Sequence, residues 1–222
     1  MSAVPARVVG RRVLLLRAGR GALGIAVLGL AACTADDSAD ETAAPARSGS
    51  AAGLAWSRVD LAYVSAFVLV RGREAVVVDT GFGGKAEADR IGAALDEAGP
   101  GWDGVRHVVI THAHGDHFGG LAEVARRAAR AALHAGGADL GEITSPPIPL
   151  SGRPGVVRYA QRLRAVGDGD EVLGLQVVAT PGHTPGHVAL FDADSRVLVA
   201  GDALLNTVDG QLSGAHPRVS QD

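Results

Sequence analysis

The sequence predicts an α+β domain in which β-sheets pack face to face and helices lie on their outer surfaces. Three observations carry this reading. Short valine-rich runs, such as residues 74–78 and 105–110, have the continuous apolar character of buried strands. Longer stretches at 85–97 and 121–132 interrupt them with helical spacing. Turns rich in Gly, Asp and Pro close off most elements. Hydrophobic residues make up 47% of the chain and aromatics only 4%, so the core must be mostly Val, Leu, Ile and Ala.

In chain order, residues 56–61 alternate roughly, and residues 63–70 form a strand candidate ending at Arg71-Gly72-Arg73. Residues 74–78 carry three consecutive valines and stop at Asp79-Thr80-Gly81, which predicts a hairpin with a buried second strand. The helix expected over 85–97 turns Ala86, Ile91, Ala94 and Leu95 toward one face, and Gly99-Pro100-Gly101 stops it. The strand at 105–110 runs directly into a histidine cluster. A helix is expected over 121–132, and a short one over 138–143 before Ser145-Pro146-Pro147. Residues 158–166 read as a strand, Gly167-Asp168-Gly169-Asp170 as a turn, and 176–179, 187–191 and 196–199 as three further strands. The pattern is compatible with an αββα sandwich, although it does not by itself choose one.

The start of the chain reads differently. Residues 1–33 are expected to be an export signal: Arg7, Arg11, Arg12, Arg17 and Arg20 precede an apolar stretch over 23–32. That stretch falls short of the ~20 residues that span a bilayer comfortably. Leu30-Ala31-Ala32-Cys33 resembles a bacterial lipobox, in which the cysteine is lipidated and becomes the first residue. Several acyl chains on Cys33 would give the lasting anchorage that one chain does not. Arg11-Arg12-Val13-Leu14-Leu15 resembles a twin-arginine motif, a route that exports folded proteins. Residues 34–53 hold almost no large apolar side chain and are expected to be a flexible tether, with the domain over 54–222. The expected location is the outer face of the cell membrane, held through the lipid. Cys33 is the sole cysteine, so no internal disulfide forms, and a net charge of -3 gives no support for nucleic-acid binding, so none is expected.

Three stretches carry chemistry. Thr111-His112-Ala113-His114-Gly115-Asp116-His117 follows a strand, with Gly119-Gly120 beyond it. Thr180-Pro181-Gly182-His183-Thr184-Pro185-Gly186-His187 comes second, and Gly201-Asp202 ends a valine-rich strand. Each presents imidazole or carboxylate on a turn leaving a buried strand, where a rigid scaffold places working residues. Neutral imidazole and carboxylate are the ligands that zinc prefers, and a catalytic site leaves one position open for water. Four potential ligands within one loop can wrap around a pair of ions, Asp116 and His117 serving one, His112 and His114 the other.

From about Ala62 onward these residues resemble the metallo-β-lactamase superfamily, with Val78-Asp79-Thr80-Gly81 matching its first motif. The resemblance implies an αββα sandwich of two mixed β-sheets flanked by helices. It implies that His112, His114 and His183 hold a first metal, that Asp116 and His117 hold a second, and that Asp202 bridges both. Asp79 would orient a ligand from behind. The implied cofactor is zinc, one or two ions, with iron or manganese as substitutes. The implied reaction is attack of a metal-activated hydroxide on an ester, thioester, lactone or β-lactam carbonyl of a small-molecule substrate, with Asp116 relaying a proton. His187 is expected to be a strand residue near the site rather than a ligand, and His107 and His134 ordinary surface or core histidines.

The superfamily's last motif, a further Gly-His after another helix, is expected to have no counterpart in this sequence, with His216 placed too early to serve as it. The expectation is a domain without its last helix and strand, binding the first ion well and the second weakly. Two other functions stay open: a truncated, weakly active or non-catalytic metal-binding lipoprotein, and an iron-dependent persulfide dioxygenase.

Overall fold

In the computed structural model the described residues are 26–28, 48–145, 155–206 and 212–214. Arg11-Arg12, Cys33, Pro146-Pro147 and His216 lie outside them.

The chain begins with β1 (Ala26–Leu28), β2 (Ser48–Ala51), β3 (Leu54–Asp60), β4 (Ser65–Arg71) and β5 (Glu74–Val78). Next come α1 (Lys85–Ala98), β6 (Val105–Ile110), α2 (Gly115–Phe118), α3 (Leu121–Arg127), β7 (Ala132–Gly136), α4 (Leu140–Thr144) and α5 (Gly155–Ala160). The remainder is β8 (Leu163–Val166), β9 (Glu171–Val172), β10 (Leu175–Ala179), β11 (Val188–Asp192), β12 (Val197–Val199) and the pair β13 (Leu204–Asn206) and β14 (Leu212–Gly214).

A seven-stranded sheet runs β2-β3-β4-β5-β6-β7-β8, and a five-stranded sheet runs β1-β12-β11-β10-β9. The first is antiparallel from β2 to β5 and parallel from β5 to β8. Its central strands β4 and β5 are buried on both faces, and the period of two sorts their side chains. On β4, Phe67 and Leu69 join Val76, Val78, Val109, Leu175, Val177, Leu190 and Val199 in a core between the two sheets. Ala66, Val68 and Val70 point the other way, into a core shared with the helices. Ile91 and Leu95 of α1, Leu121 and Val124 of α3, Ile143 of α4 and Ala160 of α5 all lie in that second layer. The mixed sheets and flanking helices expected from the sequence are therefore present. Arg71 of β4 reaches Asp192 of β11 at 2.8 Å and ties one sheet to the other.

Several boundaries differ from the expectation. The tether was expected to run to residue 53, but Ser48–Ala51 pairs antiparallel with β3. Backbone hydrogen bonds need no large side chain, and Gly49 leaves room for the Trp56 ring, which would stand 2.8 Å from a Cβ there. Ala26–Leu28, inside the stretch read as export signal, pairs parallel with β12. The helix expected over 121–132 ends at Arg127, and Ala132–Gly136 is a parallel strand beside β6. The strand expected over 158–166 divides into the end of α5 and β8, because Ala160 and Tyr159 pack into the helix-side core. In α1 the inward face is Ala88, Ile91, Gly92 and Leu95, while Ala86 is exposed. Part of the polar end, Leu204–Asn206 and Leu212–Gly214, is a two-stranded pair.

Candidate metal centre

Strands β5, β6 and β7 are parallel, so the loops at their C-terminal ends share one edge of the first sheet. Those loops carry Asp79, the histidine run 112–117 and Asp139. In the second sheet the β10–β11 loop carries His183, and the end of β12, beside the start of β11, carries Asp202. The two edges meet: the Val188 N–H donates to the Thr111 carbonyl at 2.9 Å. Residues distant in sequence thereby converge at the seam between the sheets.

Two sets of ligand atoms result. His112, His114 and His183 form one, and His112, His117 and Asp202 the other, with all atoms of each set within 4.8 Å of one another. His112 Nε2 lies 3.1 Å from His114 Nδ1. His183 Nε2 lies 3.4 Å from Asp202 Oδ2, and His117 Nε2 lies 3.5 Å from Asp202 Oδ1. Ligands around a tetrahedral ion with bonds of about 2.1 Å stand about 3.4 Å apart, so these spacings suit one. Asp116, with a third of its side chain exposed, stands farther off, its Oδ2 3.9 Å from His117 Nε2. Asp202 lies between His183 and His117, one carboxylate oxygen toward each.

His117 Nε2 and both ring nitrogens of His183 are buried without a hydrogen-bond partner among the described residues. A buried polar atom left unpaired costs about 1–3 kcal/mol. Unpaired nitrogens on His117 and His183, one in each ligand set, fit cations whose bonds would use a lone pair from each ring.

Hydrogen bonding fixes which lone pairs are free. Asp79 accepts from the Thr111 N–H at 2.8 Å, from Thr111 Oγ1 at 2.8 Å and from His117 Nδ1 at 2.9 Å. His117 therefore keeps a proton on Nδ1, and Nε2 is the nitrogen that faces the cluster, where a metal would displace its proton. Because the Thr111 hydroxyl spends its proton on Asp79, its oxygen accepts from His112 Nδ1 at 3.0 Å, which frees His112 Nε2 likewise. One carboxylate thus sets two imidazoles. Asp79 does so from φ 62°, a left-handed conformation that Asp tolerates better than most residues. Its loop is clasped to the histidine run by Thr80, which donates to the His117 carbonyl from backbone and hydroxyl at 2.7 and 2.9 Å. Gly120 makes that approach possible, since a Cβ there would stand 2.0 Å from the Thr80 carbonyl oxygen.

His187 is a supporting residue. The Asp202 N–H donates to its Nε2 at 3.1 Å, so its proton sits on Nδ1 and goes to Thr180 Oγ1 at 2.7 Å. The ring stacks on His112, centroids 5.0 Å apart. His187 was expected to stand near the site without binding metal; it props the segment that carries Asp202. His107 and His134 lie elsewhere, half-buried and bonded to each other at 3.0 Å.

The electrostatics divide the cluster. Burial and the neighbouring imidazoles push His112 well below its ordinary pKa and take His183 down to about 4. Burial likewise lowers His187 to about 3. At His117 burial also works against the proton, yet Asp79, Asp202 and Asp116 outweigh it and raise the group to about 9. Burial, with Asp79 and Asp116 nearby, raises the Asp202 carboxyl. One side of the site is neutral imidazole, and the other is a carboxylate-rich pocket around one imidazole that attracts positive charge.

Sequence reasoning passed over Asp139. It is 1% exposed, and its carboxylate accepts from the Ala113 N–H, Thr184 Oγ1 and the Gly186 N–H. The signal was present in Gly136-Gly137-Ala138-Asp139, an acid on a glycine turn after an apolar run, as in Gly201-Asp202.

A family model described as the metallo-beta-lactamase superfamily matches residues 59–222. A hydroxyacylglutathione hydrolase of Dechloromonas aromatica (strain RCB) is 33% identical over 167 residues, covering 72% of this chain and 53% of that protein. A metallo-beta-lactamase family protein of Thermus thermophilus is structurally similar with TM-score 0.54 and 28% identity, over 70% of this chain and 61% of its own. The Rm3 metallo-beta-lactamase is similar with TM-score 0.51 and 26% identity, over 67% of this chain and 57% of its own. The chain spans about half the length of the curated relatives it matches.

Proposed function

The chain belongs to the metallo-beta-lactamase superfamily, and from that premise we propose that it is a metal-dependent hydrolase of acyl compounds, with zinc as its metal. The observation that carries the proposal is the convergence of buried, unpartnered imidazole nitrogens with Asp202 at the seam of the two sheets.

His112, His114 and His183 would hold one ion, and His117 and Asp202, with Asp116, a second. Imidazole and carboxylate donors suit zinc. A divalent metal held there lowers the pKa of a water and polarises a carbonyl oxygen. The rest falls to the protein. Asp79 keeps the His117 and His112 lone pairs pointing inward. His187 keeps the Asp202 segment in place through its backbone N–H. The burial of His112, His117 and His183 shields the ligands from water. Asp116 is the most exposed carboxylate of the set, so it is the group placed to take a proton and pass it to solvent.

Within acyl chemistry we favour esters and thioesters over β-lactams. The support is the name of two of the curated relatives, hydroxyacylglutathione hydrolases that cover 72% and 66% of this chain. The test is a panel of chromogenic ester, thioester (acyl-glutathione included), lactone and β-lactam substrates, run with zinc, after chelation and after zinc is restored. Turnover that disappears with chelator and returns with zinc is the expected result. Bound metal with no turnover on any substrate would replace this reading with a metal-binding protein that does not catalyse. We carry the export reading forward in the same way: a Cys33→Ser change should move the protein out of the membrane fraction.

A further inference from the structure

We propose that Asp139 is a positioning residue that clamps together the two loops bearing the first ion's ligands, so that His112, His114 and His183 stand ready before metal arrives. The inference rests on the metal-centre reading above and extends it to a residue outside the ligand set.

The geometry is specific. Asp139 Oδ2 accepts from the Ala113 N–H at 2.9 Å and from Thr184 Oγ1 at 2.6 Å. Asp139 Oδ1 accepts from the Gly186 N–H at 2.6 Å. Ala113 separates His112 from His114, and Thr184 follows His183. One carboxylate thus bonds to both loops, drawn from different sheets. Each bond is charge-assisted and buried, the setting in which hydrogen bonds are strongest.

The backbone is shaped for this contact. A Cβ on Gly186 would lie 2.4 Å from the Asp139 nitrogen, and one on Gly136 would lie 1.8 Å from the Gly186 carbonyl oxygen. The turn carrying Asp139 and the loop carrying His183 are therefore in direct backbone contact, with glycine on each side of the approach. All partners of the carboxylate are donors. An amide in its place must aim its NH2 at the Oδ1 or the Oδ2 side and so oppose the Gly186 or the Ala113 N–H. Thr184 could reverse its hydroxyl; the backbone amides cannot.

The experiment measures zinc affinity by competition with a chromophoric chelator, alongside thermal unfolding of the metal-free protein. It compares wild type, Asp139→Asn, Thr184→Val and Ile91→Val, the last a remote core change. Asp139→Asn should weaken the first equivalent of zinc about 10- to 100-fold, in the range usual for residues that orient metal ligands. Ile91→Val should lower the unfolding temperature and leave zinc affinity alone. Thr184→Val removes one donor, keeps the carboxylate and should cost a few-fold in affinity; it decides the matter if Asp139→Asn does not fold. Unchanged zinc affinity in Asp139→Asn, or in Thr184→Val when it alone folds, overturns the inference. So does an equal loss in Ile91→Val. A wild type that binds no zinc would instead overturn the metal-centre reading.

Discussion

The sharpest test of the site is Asp79→Asn. Asn keeps the size of the side chain and tolerates the left-handed backbone at φ 62°. It removes the charge and one of two accepting oxygens. The better orientation turns the amide oxygen to the Oδ2 side, which retains the bonds from His117 Nδ1 and Thr111 Oγ1. The NH2 then faces the Thr111 N–H, which loses its 2.8 Å acceptor. A buried donor without a partner costs about 1–3 kcal/mol, and that is the loss expected in metal-free stability. The histidine now leans on a neutral acceptor, so its Nε2 is a poorer ligand. Loss of such support weakens metal binding about 10- to 100-fold, or about 1.4–2.8 kcal/mol. The larger share should fall on the ion held by His117, because His112 feels Asp79 only through Thr111. Chelator competition resolving both equivalents, with urea unfolding of the metal-free protein, provides the assay. Two equivalents held as tightly as in wild type, or a loss confined to the ion held by His183, would refute the tautomer argument.

Other predictions follow from the same geometry. Ile91 is fully buried between α1 and the first sheet, so Ile91→Ala should cost about 2–5 kcal/mol in denaturant unfolding. Burial, with His107 and Arg164 close by, lowers His134 to about 4 from an ordinary 6.5. The unfolded chain then binds a proton that the folded one refuses, so stability should fall as pH drops from 6.5 toward 4. His134→Gln should make that part of the metal-free unfolding profile shallower, while the lowered His112, His183 and His187 go on contributing. Gly136→Ala would drive a Cβ to 1.8 Å from the Gly186 oxygen. The loops must part, and both the unfolding temperature and the zinc affinity should drop.

The sequence was most legible where the pattern was local. β5 and β6 announce themselves as apolar runs because parallel strands are buried on both faces. The ligand loops follow directly from those strands, and every proposed ligand except Asp116 falls in one of the two atom sets. β7 was hidden because its alanines continue those of α3, and alanine's helix preference masks a boundary that pairing with β6 decides. α5 was hidden similarly, since its inward face is set by the core it meets. Asp139 was legible only as an acid on a glycine turn; its partners lie 26, 45 and 47 residues away, so its role was not. A spacing that long leaves no periodicity to detect.

The seam location of the centre also governs how this fold responds to its surroundings. His112, His114 and His117 come from one sheet, while His183 and Asp202 come from the other. Any ion held by both groups is a rivet through the two halves, and its grip obeys mass action. Free metal at a hundred times its dissociation constant adds about 2.7 kcal/mol to folding, and at a concentration equal to that constant only about 0.4 kcal/mol. The melting temperature would then track the metal supply, so the domain would be sturdy in a metal-replete compartment and fragile in a depleted one. Scarcity of the ion would therefore be felt as loss of the folded protein as well as of its chemistry.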